Sequence, residues 1–450
     1  MRPRGAAGLE GWALKSSRMV KRSRPRPLPA EYNLLLTATL CLLALGAVMV
    51  FSASSTTRVL QDGGLSDSAF YLKRTLLFGA VGLLIMHLVA RHGLKFVREL
   101  TPVILGGSIF LLLAVLAVGV EVNGATRWLG GGFLQVQPSE LAKVALILYA
   151  ADLLARKPKR VRSIEGMMPL LLVIAASALL IMLQPDMGTT MTVVFAVGAT
   201  LVAAGARPAD LGKIGLVIGG LALVMAVIEP YRMARLTAFL NPGADATGAG
   251  FQAAQAKIAL GSGGLFGEGI GNGVQKAFYL PEAHTDMISA VIGEELGLVG
   301  ILGVVGLFAM FGYAGLKTAQ KAKDAYGKIL VAGLTSLVLV QAIINLFAVM
   351  GMAPLTGVPL PFVSYGNSSL MAMLFAVGLI LNVARGGTAK AARGSTPTRA
   401  GKLRVVEGGR APARERSRSS GARKAKGSGG GGGNRGARRT RHGGRRRASG

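Results

Sequence analysis

The chain has 450 residues, of which 51% are hydrophobic and 16% are charged, and its mean hydropathy is +0.49. A soluble protein carries more charge than this, and the apolar runs reach roughly 20 residues, enough for a helix to cross a bilayer core. The formal net charge of +30 is concentrated in two tails, with about +7 in residues 1–30 and about +18 in residues 385–450. The composition therefore excludes a soluble enzyme and a fold that binds nucleic acid through a basic face.

Cysteine and histidine are too sparse to build the common covalent and metal sites. Cys41 is the only cysteine and lies in the first apolar run, so the chain cannot form an internal disulfide. The four histidines are too scattered to form a His/Cys zinc site with one cysteine; they are His87, His92, His284 and His442.

The apolar runs predict an all-α polytopic membrane protein with ten transmembrane helices. The first run follows a basic stretch as in a signal peptide, but it is long for one and many spans follow, so we interpret it as an uncleaved span. The eighth run is too long for a vertical helix, so we expect it to tilt or to begin above the membrane. The predicted spans are 33–53, 73–91, 101–120, 139–156, 167–184, 189–206, 212–229, 287–315, 328–350 and 363–384.

Basic residues fix the predicted orientation. They fill the short loops between spans two and three, four and five, and eight and nine, which places these loops and the N-terminus in the cytoplasm. An even number of spans places the C-terminus there as well. Residues 230–286 then form the one long loop, outside the cytoplasm between helices seven and eight, and long ordered loops are usually functional.

The chain is thus predicted to have three parts. Residues 1–32 form a basic cytoplasmic tail, 33–385 form the membrane domain, and 386–450 form a basic tail rich in glycine and arginine that has little to bury and is predicted to be disordered. This last tail is interpreted as a solvated segment attracted to the anionic inner leaflet. Docking to an acidic partner and non-specific contact with nucleic acid are the alternatives.

Several ionisable residues lie in or beside the predicted spans, where they are costly unless paired or hydrated. Glu140 and Lys143 share one face at the start of span four, because they are three residues apart. They form either an internal ion pair or a hydrated site that opens outward. Asp186 joins spans five and six and is interpreted as a helix cap.

Asp286 ends the long loop at the outer mouth of span eight. A carboxylate at the edge of an apolar region has a raised pKa, which suits a general base. A helix N-cap is the alternative for Asp286. Glu294 and Glu295 lie within the span, and Glu294 is about 12 Å deeper than Asp286 by helical rise. We interpret both glutamates as partners of cations on other spans, such as Lys143.

Cations surround Asp286 on the predicted outer side. One acid together with several cations suits the departure of a diphosphate from a sugar, because the diphosphate leaves as an anion and needs neutralisation rather than a protonating acid. A divalent cation such as Mg²⁺ or Mn²⁺ could assist, although no dense acidic cluster calls for one. These outer cations are Lys73, Arg74, Arg127, Arg232, Arg235 and Lys276.

The chain resembles the SEDS family (shape, elongation, division and sporulation). The resemblance covers most of residues 33–385 in family order, and Ala283 favours the division branch over the elongation branch. Departures from the family pattern include Met287 and Ser289 in place of aromatic residues, the glycines at 130–132, and Asn367 in place of glycine. The segments that carry the resemblance are 46–54, 123–129, 137–143, 184–188, 231–242, 265–276, 279–296 and 359–370.

The resemblance implies a peptidoglycan glycosyltransferase that polymerises lipid II, the undecaprenyl-diphosphate-linked disaccharide pentapeptide. The essential aspartate of the family corresponds to Asp286, and its important glutamate and lysine correspond to Glu140 and Lys143. The implied partners are a class B penicillin-binding protein, which is a transpeptidase, and other membrane proteins of the division machinery. The implied location is the bacterial cytoplasmic membrane at the division septum. His284, beside Asp286, joins the cations as a predicted substrate contact.

Two further functions are compatible with ten spans. A lipid II flippase would need charges accessible from both faces, whereas the candidate charges cluster outward. A division scaffold would leave Glu140, Lys143 and Asp286 unexplained.

Overall fold

A computed structural model describes residues 28–61, 68–122, 125–132, 135–228, 230–241 and 248–388. Most of the predicted N-terminal tail 1–32 and of the C-terminal tail 386–450, together with its glycine run, lies outside the described residues. The structure confirms an all-α membrane protein, and the helices fall close to the predicted spans. They are α1 Ala30–Gln61, α2 Phe70–His92, α3 Leu94–Val118, α4 Pro138–Arg156, α5 Ile164–Leu183, α6 Met187–Ala204, α7 Pro208–Ile228, α8 Pro230–Leu240, α9 Ala249–Ser262, α10 Gln275–Phe278, α11 Ile288–Lys321, α12 Ala325–Val349 and α13 Asn367–Ala384.

Nine helices of the described chain are long and apolar enough to cross a membrane. The fourth predicted span, 139–156, corresponds to α4, which is not among these nine helices and carries Glu140, Lys143 and Asp152 within its 19 residues. Most of its side chains are buried, and it packs against α3, α6 and α12. Protein rather than lipid therefore surrounds Glu140, Lys143 and Asp152. The count of ten spans stays a prediction.

The centre of the bundle is formed by α4, α12 and α13, whose side chains are mostly buried. Small residues allow close helix contact there, as is common between membrane helices. A methyl group added at Gly378 of α13 would lie 2.8 Å from the Met86 carbonyl oxygen of α2. By contrast, α7 lies at the periphery, and none of its described side chains is buried.

The eighth predicted span is interrupted. Gly297 in α11 has φ +64° and ψ −161°, so the helix breaks after its first nine residues. The loop segment 263–269 lies in this break, where the Glu268 amide donates to the Glu294 carbonyl and the Leu298 amide donates to that of Gly264, both at 3.0 Å. The part after the break, 298–321, is about 36 Å long by helical rise and can span a bilayer alone. The break thus separates the excess length, 288–296, from a part long enough to span; whether the eighth span tilts or begins above the membrane stays a prediction.

The described part of the long loop contains three further helices. These are α8, α9 and α10, with α9 packed against α11. A short antiparallel hairpin, absent from the prediction, lies between α3 and α4; its strands are β1, Val120–Val122, and β2, Ala125–Trp128. The hairpin and the loop helices together cover one end of the bundle.

Candidate functional site

Asp286 lies in the turn that leads into α11. Its backbone carbonyl accepts a hydrogen bond from Asn345 Nδ2 at 2.7 Å, and the Thr285 hydroxyl lies 3.2 Å from its carboxylate. The N-cap position of α11 is occupied by Met287, with no side-chain cap bond. The helix-cap alternative for Asp286 is therefore wrong, and its half-buried carboxylate is available for other contacts.

The electrostatic surroundings of Asp286 match those of a general base. Burial raises the pKa of the carboxyl to about 6, and the nearby Glu282 carboxylate also raises it, while the Arg235 guanidinium lowers it. At neutral pH most of the carboxylate is ionised, and it can still accept a proton. The predicted rise in pKa is thus confirmed, with desolvation as its main cause.

Three arginines lie at one cavity. Arg127, Arg232 and Arg235 line a cavity of about 500 Å³, whose other walls are mainly apolar side chains of α6 and α12. Arg235 joins this cavity to Asp286, since it contributes to the cavity wall and also acts on the pKa of the carboxyl. The apolar lining includes Met191, Phe195, Val340, Ile343, Ile344 and Phe347.

Backbone carbonyl oxygens hold the three guanidinium groups. Arg127 Nε donates to the Gln184 carbonyl at 3.1 Å, and its Nη2 donates to that of Pro185. Arg232 donates to the carbonyl oxygens of Met225 and Met182, at 3.2 and 3.1 Å. Arg235 donates to the carbonyl oxygen of Leu355 at 2.7 Å. These contacts fix the direction of each guanidinium group.

Two further predicted contacts lie outside the lining of this cavity. The exposed Lys73 is near the start of α2, beside the buried Arg74, whose Nη2 donates to the Gly132 carbonyl at 3.1 Å. The His284 ring lies 4.4 Å from that of Tyr71 and 5.5 Å from that of Tyr365, centroid to centroid. His284 therefore belongs to an aromatic cluster beside Asp286.

Glu140 and Lys143 are buried within the bundle, at 2% and 1% exposure. Lys143 Nζ donates to Glu140 Oε1 at 2.9 Å and to Gln341 Oε1 at 2.8 Å. This geometry favours the internal ion pair and contradicts a hydrated pair open to the outside. Asp186, in contrast, caps α6 as predicted, because its carboxylate accepts the Thr189 amide at 3.0 Å.

The expected pairing of Glu294 and Glu295 with cations on other spans is wrong. Glu295 pairs with Lys276 of the long loop, and Lys276 Nζ also donates to Ser52 Oγ at 2.8 Å. Glu294 Oε1 instead accepts the amides that begin α10, at 2.7 and 3.0 Å. Lys276 is only 2% exposed, so its predicted contact with substrate is not realised in this arrangement. The contacts of the loop segment 263–269 with the break in α11 bring Lys276 and the first amides of α10 beside Glu294 and Glu295.

Two amide side chains of α12 were missed in the sequence. Asn345 Nδ2 donates to the carbonyls of Asp286 and Val358, at 2.7 and 2.8 Å, and Gln341 Nε2 donates to that of Pro359 at 3.0 Å. Buried amides in an apolar span are costly unless satisfied, which was the available signal. Among the described residues, no group of three histidine, cysteine, aspartate or glutamate side chains could hold a metal ion.

The fold and the site together define a polytopic membrane protein in which a carboxylate of raised pKa and three guanidinium groups lie at or beside an apolar cavity near one end of the helix bundle. A family model described as a cell cycle protein, which groups FtsW, RodA and SpoVE, matches residues 32–388. This chain therefore belongs to the FtsW/RodA/SpoVE family, and the resemblance to the SEDS family is confirmed.

Named relatives match nearly their whole length. Stage V sporulation protein E of Bacillus subtilis is 42% identical over 358 residues, which are 78% of this chain and 96% of the relative. The probable peptidoglycan glycosyltransferase FtsW of Trichlorobacter lovleyi is 40% identical over 361 residues, which are 79% of this chain and 94% of the relative.

Solved structures share the fold. The crystal structure of the rod shape determining protein RodA of Thermus thermophilus matches with a TM-score of 0.58 at 28% identity, covering 78% of this chain and 95% of that one. A peptidoglycan synthase complex, described as coordinating polymerisation and crosslinking, contains a chain that matches with a TM-score of 0.62 at 28% identity, covering 78% and 96%.

Proposed function

We propose that this chain is a peptidoglycan glycosyltransferase that polymerises lipid II at the division septum, with Asp286 as its base. The enzyme class agrees with the name of relatives about 40% identical over most of the chain. The observation that carries the catalytic assignment is the position of Asp286, whose pKa is raised to about 6 beside an arginine that lines an apolar cavity.

The proposed reaction is a single displacement. The Asp286 carboxylate takes the proton of the 4-hydroxyl of the acceptor sugar, and the resulting oxygen attacks the anomeric carbon of the donor sugar. The bond from that carbon to the diphosphate oxygen breaks, and undecaprenyl diphosphate leaves with the electron pair. Attack opposite to the leaving group inverts the anomeric centre.

The cavity suits the leaving group. A polyprenyl chain is apolar and fits among the side chains of α6 and α12, while its diphosphate needs positive charge. Arg127, Arg232 and Arg235 supply that charge from fixed positions, which lowers the cost of reorganisation during departure. We place Lys73 and His284 at the rim, where they can contact the sugar or peptide of the substrate.

The buried ionisable residues have a different role in this proposal. Lys276 and Glu295 hold the outer loop on α11, and Glu140 and Lys143 hold α4 on α12. Each pair supports the geometry of the site through the helices that it joins. A flippase is less well supported, because the Glu140–Lys143 pair is buried by protein.

We further propose a class B penicillin-binding protein as partner, together with other membrane proteins of the division machinery. The similarity to a chain of a peptidoglycan synthase complex supports a partner that crosslinks the new strands. The basic loops support an orientation with both termini in the cytoplasm of a bacterial cell and the loop 230–286 outside.

The experiment is polymerisation of lipid II by the purified chain, with and without the class B partner. Asp286→Asn should fold and bind lipid II but lose about 10²–10⁴-fold in rate, the usual contribution of a general base. Glu268→Gln, which removes an exposed carboxylate from the same loop, should polymerise normally. Normal polymer from Asp286→Asn would overturn the catalytic assignment, and a liposome assay of lipid II translocation would then test the flippase.

A further inference from the structure

The side chain of Asn345, on α12, is hydrogen-bonded to the backbone of the loop that carries Asp286. This side chain is 2% exposed, and its Nδ2 donates to the carbonyls of Asp286 and Val358. Its Oδ1 accepts a hydrogen bond from the Ser289 hydroxyl, which fixes the amide with its nitrogen facing the two carbonyls. Both donors and the oxygen acceptor of the amide are therefore used.

Gln341 lies one helical turn earlier on the same face of α12 and makes a parallel set of contacts. Its Nε2 donates to the Pro359 carbonyl, and its Oε1 accepts from Lys143, which is paired with Glu140. The two amides thus bind the neighbouring carbonyls of Val358 and Pro359. This chain segment passes Asp286, since a methyl group added at Gly357 would lie 3.8 Å from Oδ2 of that residue.

We propose that Asn345 and Gln341 are positioning residues that hold the Asp286 loop and the segment 357–359 in register with the buried Glu140–Lys143 pair. The inference rests on the proposed function in taking Asp286 as the base. It assigns the ion pair an indirect part in the reaction, through Gln341 and the segment that this amide holds.

A positioning role has consequences that a purely structural role lacks. Without Asn345 the Asp286 carbonyl loses its amide donor, so the turn relaxes and the carboxylate moves toward water. A displacement of about 1 Å at a reacting group can reduce the rate about 10²-fold. Greater hydration also removes part of the desolvation that raises the pKa of Asp286, so the pH dependence should change.

The test uses the full chain with three variants. Asn345→Ala removes the whole amide, and Ser289→Ala removes only the hydroxyl that orients it, so the second variant serves if the first fails to fold. Thr335→Val is the matched control on α12, because the Thr335 hydroxyl is buried and has no hydrogen-bond partner among the described residues.

Amide hydrogen exchange and lipid II polymerisation are then compared. In Asn345→Ala, peptides covering residues 284–288 should exchange at least about tenfold faster, kcat should fall about 10–100-fold with KM within about threefold, and the acid limb of the pH–rate profile should move to lower pH. Ser289→Ala should change in the same direction by less. Thr335→Val should match the unaltered chain in hydrogen exchange, in kcat and KM, and in the pH–rate profile.

The inference is overturned if exchange at 284–288 and the pH profile stay unchanged in both Asn345→Ala and Ser289→Ala. It is also overturned if activity falls only in proportion to the loss of folded protein. Asp286→Asn reports separately on the proposed function, because its retained activity would remove the base assignment while hydrogen exchange would still decide whether Asn345 orders the loop.

Discussion

The Lys276 ammonium and the Glu295 carboxylate form a buried ion pair between the outer loop and α11. Ser52 of α1 completes the cluster, since its Oγ lies 2.8 Å from Lys276 Nζ and 2.7 Å from Glu295 Oε1. The remaining donor of Lys276 binds the Gly271 carbonyl at 2.9 Å. Three separate chain segments are therefore held together by charge-assisted hydrogen bonds in a site protected from water.

Removing one member of this pair should destabilise the fold. Lys276→Met leaves the Glu295 carboxylate buried without its cation, which costs about 3–5 kcal/mol in comparable cases. We expect a lower unfolding temperature in detergent, with partial recovery in the double variant Lys276→Met/Glu295→Gln. The exposed pair of Lys95 and Glu99 gives the control, because Lys95→Met should cost less than about 1 kcal/mol.

A different outcome would favour the prediction that Lys276 contacts substrate. In that case Lys276→Met would unfold at the same temperature as the unaltered chain but bind lipid II more weakly.

The rate of polymerisation should fall in acid. The base must be ionised, and burial raises the pKa of Asp286 to about 6, so kcat should decline as the pH drops through about 6. Arg235→Gln removes a cation that lowers this pKa, so the acid limb should shift to higher pH. Arg207→Gln, at the exposed end of another helix, controls for the loss of one charge. An acid limb near pH 4 in the unaltered chain would contradict the assignment.

The raised pKa of Asp286 also predicts how the stability of the fold depends on pH. The pKa of Asp286 is higher in the folded chain than its ordinary value of about 3.9, so folding favours the protonated form, and this contribution is lost as the pH rises through about 6. Asp286→Asn mimics the neutral form. Its unfolding temperature should therefore exceed that of the unaltered chain at about pH 8 and approach it at about pH 4, whereas Glu268→Gln should not show this dependence.

Gly297 should tolerate no side chain. Its φ is +64°, and an added methyl carbon would lie 2.5 Å from the Gly267 amide nitrogen and 2.6 Å from the Leu265 carbonyl oxygen. Gly297→Ala should lower the unfolding temperature and loosen the loop 263–269, which hydrogen exchange can follow. Gly303→Ala is the matched control in the same helix, because nothing lies within 4 Å of the added carbon; it should be neutral or mildly stabilising.

Filling the apolar cavity should weaken binding of the lipid chain. Ile343→Trp adds volume to the wall, so KM for lipid II should rise several-fold while kcat changes little. A substrate with a short prenyl chain should be affected less. Leu302→Trp, at an exposed position of α11, is the control. Equal effects on long and short substrates would show that the lipid does not occupy this cavity.

The predictable part of this fold is the part that depends on local sequence. Apolar runs identify the spans because the membrane requires them, and the spacing of Glu140 and Lys143 indicates a shared helix face because helical geometry fixes it. The cap at Asp186 was likewise predicted from its place between two spans. Asp286 could be singled out because it stands where the long loop ends and span eight begins.

The remaining part depends on contacts between distant segments. The break at Gly297 is formed with residues 263–269, and the partner of Glu295 comes from the loop rather than from a span. Neither contact leaves a periodic signal in the sequence. Asn345 did leave a local signal, a polar side chain in an apolar span, but its target is a backbone carbonyl that only the folded chain brings near.

The carbonyl contacts of Arg127, Arg232 and Arg235 have a thermodynamic consequence. A long side chain loses rotamer freedom when it is immobilised, up to about 2 kcal/mol for an arginine. Here the backbone immobilises these side chains when the chain folds, so an arriving anion does not have to order them. If the three guanidinium groups bind the leaving diphosphate as proposed, little of their binding free energy is spent on ordering the side chains. One lipid could then replace another without a rearrangement of these groups.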